Sequence, residues 1–415
     1  MRLGKAKKYD QIFVPSSPIK DRRYLFGREQ EVKDLQNLLR RPGQHAIVTG
    51  DRGVGKTSLV KQVLRDGKFK AIWRTCDPDS SFSDVFSSVL TECGFNLGDL
   101  EESNETTTEG ELKGSITLLG GAVKGTSKHS EKQLHKAAEL KPWKVFECLR
   151  SLTEKKIIIL DEYDAVRRTK YASKFHESTA YVMKQLADNN DDCDSRIVIV
   201  GVASSSAELL GKHESIQRNA REIYLHPLRY EHINDFLTLA ESDLDIRFET
   251  RVKDRLARGS LGYPYFVHLV GLESIEAMLD RDSNAKVVTW LDFKNGVSRS
   301  VDKAYRAELK KYNNITDYAS PTEEAIIEGL ASYSELSPLR TVLRHYICSR
   351  SKMKEEDFDA GLIKLTQERR FLYLSRRTDE VGFIDPLMRA FIREHILVKR
   401  DQRHSSGQLG LFDPA

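Results

Sequence analysis

Eight consecutive residues, Gly50-Asp51-Arg52-Gly53-Val54-Gly55-Lys56-Thr57, constrain this chain more than any other stretch. They match G-x-x-x-x-G-K-[ST] without a gap. The glycines let the backbone curl so that successive N–H groups point inward and cradle phosphate oxygens. A helix starting behind such a loop adds the partial positive charge of its N-terminus. Lys56 is placed to reach β- and γ-phosphates, and Thr57 to give its hydroxyl to Mg2+. Gly50 through Ser58 are therefore the candidate nucleotide-binding residues. The flanks agree: Ala46-Ile47-Val48-Thr49 is a short apolar strand, and Lys56–Leu64 reads as a helix. A strand, a loop and a helix in this order start an α/β fold with a parallel sheet.

The pattern continues downstream. Phe69–Trp73 reads as a strand and Phe82–Leu90 as a helix, with Phe82, Val85, Phe86, Val89 and Leu90 on one face. After a helix near Trp143–Leu152 comes Lys156-Ile157-Ile158-Ile159-Leu160-Asp161-Glu162, an apolar run ending in two acids. Such a run suits a central parallel strand covered on both faces. An acidic pair at its end, downstream of a phosphate loop, has a defined task. Asp161 holds Mg2+, usually through water, and Glu162 orients and polarises an attacking water. Asp164 is a nearby carboxylate with no assigned role. A helix is expected around Lys174–Ala187, a buried strand at Arg196–Val202 and a further strand at Glu222–Leu225. Residues 99–141 interrupt the alternation: an acidic, Thr-rich stretch precedes Leu112–Thr126, which reads as a β-hairpin turning at Gly120-Gly121.

Beyond residue 230 the apolar β runs largely stop. Glu231–Leu239, Arg251–Ala257, Tyr265–Leu279 and Trp290–Tyr312 read as helices, and Asn313–Tyr318 as a linker. Ser320-Pro321-Thr322-Glu323 has the form of a capping box with proline at the first helical position. Ser337-Pro338 looks like a second start of that kind. A third helix runs from about Glu355 to Glu368. Phe371–Leu374 and Val381–Ile384 are short strands, and Pro386–Val398 is a last helix. Three helices, a two-stranded wing and a final helix are the elements of a winged helix. The expected domains are an extended basic arm at 1–24, an ATPase core at 25–229 containing the 99–141 insertion, a helical lid at 230–317, a winged helix at 318–400 and a tail at 401–415.

Composition excludes several classes. With 415 residues the chain has room for roughly two to three domains. Hydrophobic residues make up 39% and charged residues 31%, a balance suited to packed cores. The apolar runs Ile157–Leu160 and Ile197–Ala203 fall far short of the ~20 residues that span a bilayer. Met1–Lys8 is basic but precedes no apolar stretch, so no secretory signal or membrane partner is expected. Five scattered cysteines, none in a Cys-x-x-Cys pair, argue against a disulfide framework or zinc site and for a cytoplasmic setting.

Taken together, these motifs resemble AAA+ ATPases close to the origin-recognition and cell-division-control initiators and the STAND signalling ATPases. The likeness is carried, in family order, by Leu25-Phe26-Gly27-Arg28-Glu29, the phosphate loop, Asp161-Glu162, Val200-Gly201-Val202-Ala203-Ser204, Ile223-Tyr224-Leu225-His226-Pro227-Leu228 and Gly262-Tyr263-Pro264-Tyr265. It extends from about Phe13 to Arg400. It implies a P-loop NTPase core with a helical lid and a C-terminal winged helix, with ATP and Mg2+ as cofactors and a homo-oligomer or an effector protein as partner. By the same resemblance Pro18, Ile19 and Phe26 line the adenine pocket. Ser204 takes the first sensor position, where the family often has Asn. Arg218 and Arg221 fall where an arginine acts in trans on a neighbour's ATP. Pro264 abuts the nucleotide. No arginine matches the second sensor of the initiators unless Arg258 serves, which tilts the likeness toward STAND proteins.

Charge separates two functional readings. The positive surplus lies in residues 1–41, which hold eleven Lys/Arg against five Asp/Glu and so carry +6, while the remainder carries −2, for a net +4. From Tyr318 to Ala415, fifteen Lys/Arg balance fifteen Asp/Glu, and the third helix opens on Glu355, Glu356, Asp357 and Asp359. Affinity for DNA depends on neutralising phosphates with Lys/Arg, so this module is expected to contact protein instead. Arg369, Arg370, Arg376 and Arg377 leave a wing-led contact with DNA open. The first reading is an ATP-hydrolysing switch, slow and stimulated by assembly. The alternative is a DNA-binding ATPase of the initiator or transposition-helper type.

Overall fold

The computed structural model describes residues 3–96, 140–154, 156–168, 172–189, 195–203, 219–304, 319–335, 337–375, 378–385 and 388–393. The hairpin insertion, the linker, Ser204 and Arg218 lie outside these residues. Chain contacts divide the molecule into two units, one of Glu29–Gly50 and Lys56–Leu225, the other of Met1–Arg28, Asp51–Gly55 and His226–Ala415.

The first unit is a five-stranded, all-parallel sheet. Its strands are β1 (His45–Gly50), β2 (Ala71–Thr75), β3 (Ile157–Asp161), β4 (Arg196–Val200) and β5 (Ala220–Leu225), in the order β2-β3-β4-β1-β5. The expected second strand is displaced by two residues toward Thr75. Residues of β1, β3 and β4 are buried throughout, as continuous Ile/Val runs in a doubly covered parallel sheet must be. Helices Glu29–Arg40, Lys56–Asp66, Phe82–Glu92, Pro142–Arg150 and Ala172–Asp188 supply the cover. Phe86, Val145, Phe175 and Met183 are essentially inaccessible and join the sheet residues in one core. Each such side chain contributes about 1.5–3 kcal/mol by burial.

The fully buried His45 sews β1 to its neighbours. Its Nδ1 accepts the Ile197 N–H at 3.0 Å, so Nε2 carries the proton and donates to the Met183 carbonyl at 2.7 Å. Arg196 ties the same end down, giving Nη1 to the Leu39 carbonyl at 2.7 Å and Nε to that of Arg41 at 3.2 Å.

The second unit is helical. Helices Tyr230–Leu244, Thr250–Gly259, Pro264–Arg281 and Trp290–Ala304 stand where the spacing predicts helices, with one addition: Arg247–Phe248 and Val287–Val288 form a short parallel pair. The chain start differs from the extended arm read in the sequence, because Leu3–Ile12 is an α-helix. The two prolines that disfavour helix, Pro15 and Pro18, act only from residue 14 onward. Ile12 and Phe13 are buried, and Phe13 meets Phe236 edge-on at 5.3 Å. Gly271 leaves the room: a Cβ there would come within 2.4 Å of the Phe13 ring.

The C-terminal elements have their own apolar cluster around Ile326, Ile347, Phe358, Leu372 and Phe391. Pro321–Ser332 starts on the expected capping box: Ser320 Oγ accepts the Glu323 N–H at 3.3 Å, and Glu323 Oε2 accepts the Ser320 N–H at 2.7 Å. Ser337-Pro338 is not a second start of this kind, since Leu339 caps the helix Arg340–Ser351. The Pro338 carbonyl instead accepts the Val381 N–H at 2.9 Å, and Leu339 bridges Glu380. This segment adds a rung beside the antiparallel pair Leu372–Leu374 and Val381–Phe383. Helix Glu355–Ile363 precedes that pair, and residues 388–393 are helical again.

Candidate nucleotide-binding site

Parallel strands present all their C-terminal ends on one edge of the sheet, where open α/β folds bind ligands. Gly50 ends β1 and Asp161 ends β3 on that edge, with β4 between them. Thr57, in the first turn of the helix after the loop, spans the gap. Its hydroxyl donates to Asp161 Oδ2 at 3.1 Å. Asp161 is nearly buried, and that burial raises its carboxyl above the ordinary range, against the lowering effect of the Glu162 N–H, Thr57 and Lys56. A hydroxyl and a buried carboxylate side by side, with the carboxylate under-compensated, suit a hard divalent cation. Lys56 Nζ donates to the Gly50 carbonyl at 2.9 Å, so the ammonium lies against the loop it is expected to serve.

Glu162 follows β3 in a left-handed backbone conformation, φ +55°, with its side chain exposed. Left-handed backbone in a residue other than glycine is strained and concentrates at functional sites. The Glu162 N–H donates to Asp161 Oδ1 at 3.0 Å, and its carbonyl accepts from Ala165 at 2.9 Å. Asp164, unassigned in the sequence, has a task. Its Oδ1 accepts the Val202 N–H at 2.7 Å and so fixes the chain leaving β4, two residues before Ser204. Arg221 is exposed on β5 opposite Ala46, whereas Leu225 faces Gly50. Four residues of strand, about 13 Å, hold it back from the ligand edge.

The loop tip belongs to the helical unit. Gly53 and Gly55 have φ of +82° and +98°. Val54 is buried, and its carbonyl accepts Arg28 Nη2 at 3.1 Å; the same nitrogen donates to the His226 carbonyl at 2.7 Å. Asp51 Oδ2 accepts the Tyr263 hydroxyl at 2.8 Å, and the Gly53 carbonyl accepts the Tyr265 N–H at 3.3 Å. Pro264, between these two tyrosines, takes the first helical position. Gly262 is required: its φ is +86°, and a Cβ would sit 2.5 Å from the Leu228 carbonyl oxygen. Sequence reasoning left Arg28 as one letter of the Phe-Gly-Arg-Glu motif and gave Tyr263 and Asp51 no mutual role. The signal for Arg28 was its fixed place in that motif.

Of the residues expected at the adenine, Ile19 is buried and Pro18 half-buried, and Phe26 stacks on Phe236 at 4.4 Å with His268 beyond. Arg258 is committed elsewhere, with Nε on Asp254 Oδ1 at 2.8 Å and its guanidinium over the Tyr230 ring. Among the described residues no cluster of His, Cys, Asp and Glu has the form of a metal site, and no helix is long and apolar enough to cross a membrane.

These features have counterparts in known proteins. Residues 24–200 match the AAA ATPase domain family. The Walker-type ATPase PABY2304 of Pyrococcus abyssi is 16% identical with a TM-score of 0.54, over 92% of this chain and 99% of that one. The ORC2 protein of Aeropyrum pernix, solved in ADPNP–ADP complexes, is 12% identical with a TM-score of 0.50, over 95% of this chain and 98% of that one. No curated protein matches the chain. The AAA ATPase domain match covers the segment that carries the P-loop and the acidic strand end. The solved structures, at their low identity, speak for the fold alone.

Proposed function

We propose that this protein is an ATP-driven molecular switch that controls a protein partner or its own assembly. The observation that carries this is the Thr57–Asp161 contact beside a strained, exposed Glu162. Lys56 and the loop N–H groups hold the phosphates, and Glu162 takes the proton of the water that attacks the terminal phosphorus as the bond to ADP breaks. Thr57 and Asp161 are the residues that would hold Mg2+, which supplies charge neutralisation on the phosphates. Ser204 reads the terminal phosphate, and Asp164 positions the chain leading to it. Arg221, kept from its own loop by the length of β5, acts with Arg218 on a neighbouring copy. Hydrolysis shifts the switch only to the extent that ATP binds its two states with different affinity.

The C-terminal elements are read as a winged helix that meets protein. Part of the acid on its third helix is engaged internally: Arg344 pairs with Asp359 at 2.9 Å and Glu355 at 3.3 Å. On the basic side, Arg369 is held by Glu323 at 2.8 Å.

The test is nucleotide binding, hydrolysis and native mass, measured with and without ATP and duplex DNA. Lys56→Ala is expected to abolish ATP binding, and Glu162→Gln to retain ATP while losing hydrolysis. ATP-dependent assembly without DNA binding supports the switch. Salt-dependent duplex binding that requires ATP would replace it with the DNA-loading alternative.

A further inference from the structure

Three arginines are buried among the described residues, and two of them are fully explained. Arg28 gives its guanidinium to the carbonyls of Val54 and His226, and Arg196 to those of Leu39 and Arg41. Arg389, in the helical segment 388–393, is different. It is 1% exposed, and Nη2 donates to the Tyr333 carbonyl. Nε and Nη1 have no hydrogen-bond partner among the described residues. No carboxylate compensates it among the described residues. The groups that act on its charge are Arg393, one helical turn on, and Tyr263. Burial first, and then repulsion by Arg393, hold the Arg389 guanidinium down at about 10.

A guanidinium cannot shed its proton at neutral pH even so, and an uncompensated buried charge is strongly unfavourable. What relieves it is an anion with several acceptor oxygens, the chemistry that the guanidinium plane matches best. Tyr263 gives the neighbourhood, because its hydroxyl is bonded to Asp51 of the phosphate loop. We propose that Arg389 is the receptor of a phosphate-class oxyanion, taken by the open donors on Nε and Nη1. The source is either the terminal phosphate of a nucleotide on the loop or free inorganic phosphate. Only the first source rests on the ATPase reading.

The experiment compares the full-length wild type with Arg389→Gln, Arg389→Lys and Lys56→Ala, by calorimetric titration and thermal denaturation. The probes are ATP and inorganic phosphate. If the nucleotide is the source, Arg389→Gln weakens ATP about 10- to 100-fold, the worth of charge-assisted bonds. Arg389→Lys then recovers part of the loss. If free phosphate is the source, the wild type and Lys56→Ala show a saturable rise in melting temperature with phosphate, Arg389→Gln shows none, and ATP affinity is unchanged by it. Without ligand, Arg389→Gln melts at or above the wild type, since it removes an unbalanced charge. Identical ATP affinity and identical phosphate response in wild type and Arg389→Gln overturn the proposal. So does a large drop in ligand-free melting temperature with both responses intact, which marks a structural arginine; if Arg389→Gln does not fold, Arg389→Lys is held to the same comparison. Lys56→Ala binding ATP like the wild type would refute the nucleotide reading instead, and would leave the phosphate response of Arg389 standing.

Discussion

Glu162 combines an unfavourable backbone with the carboxylate best placed to activate water, so one substitution should move stability and activity in opposite directions. Its φ of +55° costs about 1–2 kcal/mol in a residue with a Cβ. Glu162→Gly removes that strain but adds about 0.5–1 kcal/mol of unfolded-chain freedom. The net expectation is a gain of about 0.5–1 kcal/mol, a rise of roughly 1–4 °C for a unit of this size. Hydrolysis should fall by about 10²–10⁴, the usual contribution of a general base. Thermal denaturation by circular dichroism reads the first quantity. Single-turnover hydrolysis, with ATP binding measured separately, reads the second. Glu162→Gln keeps the Cβ and should lose hydrolysis with no gain in melting temperature. A Glu162→Gly protein that melts below the wild type, or that hydrolyses ATP normally, would refute the link between strain and catalysis.

Other expectations follow from the same contacts. Gly262→Ala should cost about 2–3 kcal/mol, from left-handed strain plus overlap with the Leu228 carbonyl, and should weaken ATP binding by disturbing Tyr263; a melting temperature equal to wild type would contradict it. Asp164→Ala removes the acceptor for the Val202 N–H and should lower the hydrolysis rate with ATP affinity unchanged, which steady-state and binding measurements separate. His45 and His268 are both buried, and burial lowers each to about 4 from an ordinary 6.5. The unfolded chain therefore takes up protons first as pH falls. Their contribution is complete above pH 6.5 and is lost between 6.5 and 4, up to about 3 kcal/mol each. Denaturant midpoints that stay level from pH 7 to pH 4.5 would count against this.

The phosphate loop and the acidic strand end were legible because each needs particular residue types in a fixed local order, flanked by apolar runs whose burial is dictated by the parallel sheet. The helices after residue 230 were legible from spacing. What could not be read locally are contacts between distant segments. Arg28 reaches Val54 and His226, Asp164 reaches Val202, and Tyr263 reaches Asp51 across more than two hundred residues of chain. The charge of the third C-terminal helix shows the same limit from another side. Glu355 and Asp359 looked like a repulsive face, yet Arg344 of the preceding helix absorbs both. The helix Leu3–Ile12 was missed because Pro15 and Pro18 were allowed to speak for residues well upstream of them.

The burial of Phe13 against Phe236 and Gly271 also sets an order of events during synthesis. The first segment leaves the ribosome about 220 residues before the helices that receive it, roughly 10–40 s at ordinary translation rates. For that interval Ile12 and Phe13 have no native partner, while the intervening strands and helices of Glu29–Leu225 can already assemble. The segment around Ile12 and Phe13 is thus made well before the helices that complete it, and through that interval a nascent-chain chaperone would have access to it.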